Sequence, residues 1–102
     1  MSNVKFKTGA DANGMSLMGY ITITHAELVK KLGQGEGASD KTLDEWSIEG
    51  SSNGETIIAT IYDWKNYGRD VETITEWHIG GTSRKAVDLV HAIFNDKKVR
   101  HH

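Results

Sequence analysis

The alternation of apolar and polar residues along the chain predicts a set of β-strands. The longest such run, Glu55–Lys65, is rich in the β-branched and aromatic residues that fit a pleated sheet. Asn53-Gly54 just before it is a strong tight-turn signal. Bulky side chains occur on both faces of this run, so we expect it in the middle of a sheet. Further strands are predicted over Val4–Lys7, Met15–Thr24, Leu43–Glu49 and Ile74–Ile79.

Two segments have helical spacing instead. Thr24 and Glu27 have the separation of a capping box, which predicts a short helix that runs through Leu32 and ends at Gly33. A second helix is predicted near the C-terminus, where apolar residues recur at helical intervals. The residues expected to be buried are Ala26 and Val29, with Leu28 and Leu32, in the first helix, and Ala86, Leu89, Val90, Ile93 and Phe94 in the second.

The order of these elements is strand, strand, helix, strand, strand, strand, helix, which is typical of an α+β fold. We expect two layers, with a mostly antiparallel sheet of four to five strands and two helices packed on one face. The chain of 102 residues suits a single domain, 1–102, with its core at about 15–95. Residues 97–102, which end in two histidines, are expected to be a disordered tail or a tag remnant.

Composition narrows the classes of function. The net charge of −2 argues against a general nucleic-acid-binding protein, which would carry a basic surplus. The absence of cysteine excludes disulfides and thiolate metal sites, and it fits a reducing compartment. No apolar stretch approaches the length of a membrane span and no apolar signal segment opens the chain, so we expect a cytoplasmic protein without a membrane partner.

The period of two along each strand sorts the side chains onto two faces. One face is apolar and is expected to meet the helices, with Trp46, Ile61 and Trp77 among its members. The other face carries more aromatic and ionisable groups than a simple solvated sheet would need. Its candidate binding residues are Tyr20, Glu45, Tyr62, Trp64, Glu76 and His78.

This second face has three interpretations. Rigid aromatic side chains concentrate at interaction hot spots, so the face is a candidate surface for binding another protein. Cross-strand aromatic pairs that merely stabilise a solvated sheet would give the same pattern. A second copy of the chain is the third way to cover the face. A register error of one residue in any strand would exchange the two faces of that strand.

Glu45, Glu76 and His78 also form a candidate acid–base or metal-binding group, since two carboxylates and one imidazole could bind a divalent cation. However, no nucleophile is marked in the sequence, and the paired-histidine motif HExxH does not occur. We therefore predict no catalytic residue, no metal ligand and no cofactor, and we favour a protein that is not an enzyme.

The Gly-Gly-Thr-Ser segment between the last predicted strand and the second helix offers an alternative site. Backbone amides at the start of a helix can hold an anion, and a basic residue in the first turn would add positive charge. A plain two-glycine connection with a Ser or Thr N-cap explains the same residues. The residues of this alternative, an anionic-ligand or nucleotide site, are Gly80, Gly81, Ser83 and Arg84, with Trp64 or Tyr67 stacked on a base.

Two stretches carry a family resemblance, Ile-Tyr-Asp-Trp-Lys at 61–65 and Trp-His-Ile-Gly-Gly at 77–81. Over about Tyr20 to Val90 the chain resembles a family of small, mostly uncharacterised bacteriophage-encoded proteins. The resemblance implies a cytoplasmic protein of an infected bacterial cell. It also implies a host or phage protein as the partner, with inhibition of a host defence system as one outcome, whereas other small phage proteins sequester a nucleotide signal.

The oligomeric state is the last expectation from the sequence. The apolar core is small for a free-standing monomer, and the strand at Val4–Lys7 would leave an unpaired sheet edge. We therefore expect a homodimer.

Overall fold

The β-branched and aromatic runs of the chain assemble into one antiparallel sheet that carries two helices. The computed structural model describes residues 5–10, 14–37, 43–52, 54–66 and 68–102. The strand order across the sheet is β1-β3-β4-β5-β2-β6, and every neighbouring pair is antiparallel. The elements are β1 (Phe6–Thr8), β2 (Ser16–Thr22), α1 (His25–Leu32), β3 (Glu45–Ser52), β4 (Glu55–Tyr62), a 3-10 turn (Val71–Thr73), β5 (Glu76–Gly81), α2 (Lys85–Ile93) and β6 (Lys98–His101).

The α+β class is confirmed, but over the residues that the structure describes the sheet has six strands rather than four to five. The additional strand, β6, is formed by the segment that we expected to be a disordered tail. Val99 explains the difference, because it packs against the core while the backbone of β6 pairs with β2. The interpretation of the two terminal histidines as a tag remnant stays a prediction. At the opposite edge, β1 begins at Phe6, and Val4 lies outside the described residues.

The central position predicted for the longest strand is confirmed, since β4 pairs with β3 on one side and β5 on the other. The strand is shorter than predicted and ends at Tyr62. The chain then leaves the sheet through Lys65, whose φ of 55° lies in the left-handed region. Gly54, with a φ of 77°, provides the left-handed turn residue between β3 and β4, and Asn53 lies outside the described residues.

Two tryptophans form the centre of the core on the helix-covered face. Trp46 and Trp77 are 1% and 0% exposed, and their rings meet edge to face at 5.6 Å. Each indole N–H donates to a backbone carbonyl, that of Trp46 to Gly33 at 2.9 Å and that of Trp77 to Ile23 at 3.0 Å. Both large side chains are therefore buried with their polar atoms bonded, which fixes their orientation.

The first helix begins and ends where the sequence predicts, but it is rotated. Its N-cap, Thr24, forms the capping box with Glu27. Leu28 and Leu32 are buried, whereas Ala26 and Val29 are exposed, so the predicted burial of the last two is wrong. The reason is the inward position of His25, which lies against both core tryptophans with ring centroids 5.7 and 6.1 Å away and shares one helix face with the two leucines.

The second helix buries its predicted apolar stripe against the same face of the sheet. The buried residues, all predicted except Val87, are Ala86, Val87, Leu89, Val90, Ile93 and Phe94. The face assignment predicted for the strands is also confirmed, because Trp77 is fully buried while its neighbour His78 is only half-buried on the helix-free side. From here on, the side of the sheet away from both helices is called the outer face.

Because Trp77 is fully buried and hydrogen-bonded, we expect Trp77→Ala to lower the free energy of unfolding by about 3–5 kcal/mol. The half-buried neighbour His78 serves as the control, and His78→Ala is expected to cost only about 1 kcal/mol. Denaturant unfolding of both variants measures the two values. A mild Trp77→Ala beside a severe His78→Ala would contradict the face assignment of β5.

Candidate functional site

One row of side chains crosses five strands on the outer face. Successive register pairs join Glu45 to Tyr62, Tyr62 to His78, His78 to Tyr20, and Tyr20 to Arg100. These five residues, from β3, β4, β5, β2 and β6 in that order, are called the aromatic row below. Five of the six strands thus contribute one side chain each to a continuous line across the face.

The rings of the row contact one another edge to face. His78 lies 5.4 Å from Tyr62 and 5.2 Å from Tyr20, with interplanar angles of 76° and 87°. Trp64, two residues beyond Tyr62, extends the cluster with a centroid distance of 6.2 Å and is 43% exposed. These distances lie in the range at which edge-to-face aromatic pairs attract, so the rings hold each other in place before any partner arrives.

A glycine in β5 makes room for this cluster. A Cβ at Gly80 would lie 2.4 Å from the Thr60 hydroxyl oxygen and 3.2 Å from the Tyr62 ring. Position 80 therefore has to lack a side chain so that the Tyr62 ring can pack beside His78. The close approach, rather than a left-handed backbone, accounts for the glycine.

The two ends of the row carry opposite charges. Glu45 lies at the β3 end and Arg100 at the β6 end. The Arg100 guanidinium stacks over the Tyr20 ring at 4.2 Å and donates to Glu76 Oε2 at 2.8 Å. A stacked and hydrogen-bonded guanidinium keeps a defined orientation although Arg100 is exposed.

The middle of the row is uncharged at neutral pH. Burial lowers the pKa of His78 below its ordinary value of 6.5, an effect that the charges of Glu76 and Asp63 oppose and His102 reinforces. Burial also raises the pKa of the Tyr62 hydroxyl above 10.0, and the nearby Tyr20 hydroxyl adds to that effect. The row is therefore a neutral aromatic centre between an acidic and a basic end.

Beside the row, an open pocket of about 270 Å³ adjoins the exposed Trp64 ring. One basic side chain reaches it, Arg69, which donates to the Asn66 side-chain oxygen at 3.3 Å. The pocket has a mostly polar lining and extends the outer face beyond the aromatic row. It is lined by Trp64, Asn66, Arg69, Ile74, Thr75, Glu76 and His78.

The structure puts the six predicted binding residues on the outer face, but it does not bring the carboxylates and the imidazole of the predicted metal group together. Glu45 is two strands away from His78, with Tyr62 between them, so the two do not converge. Glu76 is bonded to Arg100. Within the described ranges, no group of three or more His, Cys, Asp or Glu side chains is arranged to hold a metal ion.

The residues of the alternative anion site lie differently from the prediction. Gly80 and Gly81 belong to β5 and pair with β2 on one side and β4 on the other, so they form part of the sheet rather than a turn. Neither has a positive φ. The Ser83 hydroxyl oxygen accepts a hydrogen bond from the backbone amide of Lys85 at 3.3 Å. Arg84 is exposed at the start of α2. Tyr67 lies outside the described residues.

Sequence reasoning missed a buried carboxylate behind the row. Asp63 is 0% exposed and accepts the backbone amides of Leu43 at 2.7 Å and Asp44 at 3.0 Å, while its other oxygen accepts from Asn66 at 3.2 Å. The sequence does indicate this burial, because the period of two that starts from Ile61 puts Asp63 on the apolar face. A buried carboxylate has to be paired or hydrogen-bonded, so Asp63 fixes the chain as it leaves β4.

A second polar contact joins α1 to β3. His25 Nε2 is hydrogen-bonded to Asp44 Oδ2 at 2.8 Å, and both side chains are largely buried. Asp44 Oδ1 accepts the amides of Gly37 and Glu45 at 3.1 and 2.9 Å. These three hydrogen bonds hold segments of the chain together, which gives the pair a structural role beneath the start of β3.

Comparison of the chain with protein-family models, with curated proteins and with solved structures finds no match. None of the helices in the described residues is long and apolar enough to cross a membrane. The candidate site therefore stands on its own geometry.

The lowered pKa of His78 predicts an acid sensitivity of folding. As the pH falls through 6.5, the unfolded chain takes up a proton at this residue before the folded protein does, so stability is lost in that window. We expect the melting temperature of the wild type to fall more than that of His78→Gln between about pH 7.5 and about pH 5.5. Thermal unfolding at both pH values measures this difference. An equal or larger fall in the variant would show that His78 is not the group responsible.

Proposed function

We propose that this chain is a non-enzymatic binding protein that holds another protein against the aromatic row and Trp64. The observation that carries the proposal is the position of three aromatic side chains, Tyr20, Tyr62 and Trp64, on the one face of the sheet that neither helix covers. Such side chains contribute large contact areas at low entropic cost, which is why they concentrate at the hot spots of interfaces.

The geometry favours a binding surface over a merely stabilised sheet. A solvated sheet gains little from exposing an indole, whereas Trp64 is 43% exposed and the surrounding rings are already held by edge-to-face contacts. A preformed surface loses little conformational entropy when a partner binds. The neutral centre and the charged ends also resemble the division of an interface into a hydrophobic core and a polar rim.

An anionic ligand or nucleotide at the start of α2 is the weaker alternative. Its two glycine amides would have to leave the pairing of β5 with its neighbours before they could bind an anion. The remaining residues, Ser83 and Arg84, form only the beginning of a helix. The aromatic row needs no such rearrangement, so the protein-binding function is the one we propose.

The class of partner follows from the family resemblance. A host or phage protein in the cytoplasm of an infected bacterium is the partner that we propose, and inhibition of a host defence system is the outcome that such binding would have. The proposal needs no cofactor and no catalytic residue. It requires a partner surface that accepts a cluster of aromatic rings between an acidic and a basic edge.

Affinity capture followed by titration tests the proposal. Tagged wild type, the double variant Tyr62→Ala/Trp64→Ala, and Val29→Ala are used to capture proteins from host cells, and the captured protein is then purified and titrated. Val29 is a matched control because it is the other exposed large hydrophobic residue of the described chain and lies on α1. Loss of two aromatic hot spots is expected to weaken binding about 30-fold or more, whereas the control binds as the wild type does.

The opposite pattern would overturn the proposal. If the double variant remains folded and binds the captured protein with unchanged affinity, the outer face is not the binding surface. If Val29→Ala is the variant that loses binding, the partner contacts the helical layer instead.

A further inference from the structure

The aromatic row has a direction, because an acid ends it on one side and a base on the other. Glu45 and Arg100 are four strands apart, which at the usual spacing between strands puts them about 19 Å from each other. His78 is the middle residue of the five, with Tyr62 and Tyr20 on either side of it. From β3 to β6, the order of side chains in the row is therefore acid, tyrosine, histidine, tyrosine, base.

This sequence of side chains is complementary to itself under one kind of two-fold symmetry. When two copies meet face to face, a two-fold axis that runs along β5 brings each row against its partner's row in reverse order. Glu45 then faces the partner's Arg100, and Tyr62 faces the partner's Tyr20. A two-fold axis across the strands would instead bring Glu45 against Glu45 and Arg100 against Arg100, an arrangement that like-charge repulsion disfavours.

We infer that the occupant of the outer face in the isolated protein is a second copy of this chain, related by a two-fold axis along β5. The neutral state of His78 suits this arrangement, since the two His78 rings meet near the axis without charge repulsion at neutral pH. The aromatic centres of the two rows are buried together, and two pairs of opposite charges close the ends.

The position of Arg100 supports the pairing. Its guanidinium is held over Tyr20 and donates to Glu76, so the charge at the β6 end is already oriented before association. A guanidinium has five donors, and it can bind a second carboxylate without releasing the first. Glu76 also lies on β5, so it is close to the two-fold axis and to the partner's Glu76. The hydrogen bond from Arg100 offsets the negative charge of Glu76 and so reduces the repulsion between the two carboxylates.

This inference rests on the proposed function, because the second copy uses the same protein-binding face. It adds that self-association and the binding of a different protein exclude each other. The partner would have to separate the dimer before it could bind. A row about 19 Å wide makes a small interface, so we expect the dimer to dissociate in the micromolar range.

A charge exchange tests the pairing. Glu45→Arg and Arg100→Glu are made in separate full-length chains, and the mass of each is measured by sedimentation equilibrium over a concentration series. Each variant alone puts like charges at both ends of the interface, so its dimer dissociation constant is expected to rise about 10-fold or more. An equimolar mixture restores opposite charges at both ends, and it is expected to dimerise as the wild type does.

A second pair of substitutions provides the control. Glu55 and Lys85 form an exposed ion pair on the helix side, so Glu55→Arg, Lys85→Glu and their mixture are expected to dimerise like the wild type. Unfolding curves establish that every variant is folded. Recovery of dimers only in the Glu45→Arg and Arg100→Glu mixture supports the inference. A monomeric wild type, undisturbed single variants, or a mixture that stays monomeric would overturn it.

The two proposals can fail separately. One outcome is that the mixture of Glu45→Arg and Arg100→Glu forms no dimer, while Tyr62→Ala/Trp64→Ala binds the captured protein more weakly than the wild type does. In that case the outer face binds other proteins only, and the two-fold pairing is wrong. If the mixture dimerises while that double variant keeps full affinity for the captured protein, the face serves self-association and the proposed binding of a different protein is wrong.

Discussion

The burial of Trp46 and Trp77 under the helices is the constraint on which the rest of the structure depends. Both indoles lie on the same face of the sheet, contact each other at 5.6 Å and donate to backbone carbonyls. A shift of either strand by one residue would expose its tryptophan and remove the indole N–H from the backbone carbonyl that accepts it. The energetic cost of such a shift is several kcal/mol, so the register of β3 and β5 is firmly set.

Once this register is set, it also determines which side chains lie on the outer face. Because side chains alternate along a strand, burying Trp77 turns His78 outward, and burying Trp46 turns Glu45 outward. The same alternation in β4 and β2 turns Tyr62 and Tyr20 to the outer face. The aromatic row is thus the counterpart of the tryptophan core on the other side of the same strands. The buried apolar side chains are concentrated on the helix-covered face, and the outer face carries the aromatic row.

The strands and helices with a strong repeating pattern could be predicted from the sequence. Period two in β4 and the apolar stripe of α2 gave the layers, and the capping box gave the start of α1. The candidate residues of the outer face followed from the same alternation. Their arrangement as one row could not be predicted, because the order of strands in the sheet depends on long-range pairing that no local pattern encodes.

The errors have physical causes that lie in particular residues. Ala26 and Val29 were expected to be buried, but the stacking of His25 on two tryptophans rotates α1 and exposes Val29. The four-residue strand β6 was too short to stand out in a segment treated as a tail, and it is Val99 that ties it to the core. The glycines of β5 were interpreted as a turn, whereas close packing against Thr60 and Ala86 explains them.

Acrylamide quenching of tryptophan fluorescence tests most directly whether the outer face binds protein. Trp64 is exposed while Trp46 and Trp77 are buried, so one indole of three is accessible to the quencher, and Trp64→Phe provides the signal of the buried pair. In dilute protein, Trp64 should be quenched readily. At high protein concentration, and again with a captured partner bound, it should become protected. A Trp64 that stays equally accessible under all three conditions would contradict the assignment of the outer face as a binding surface.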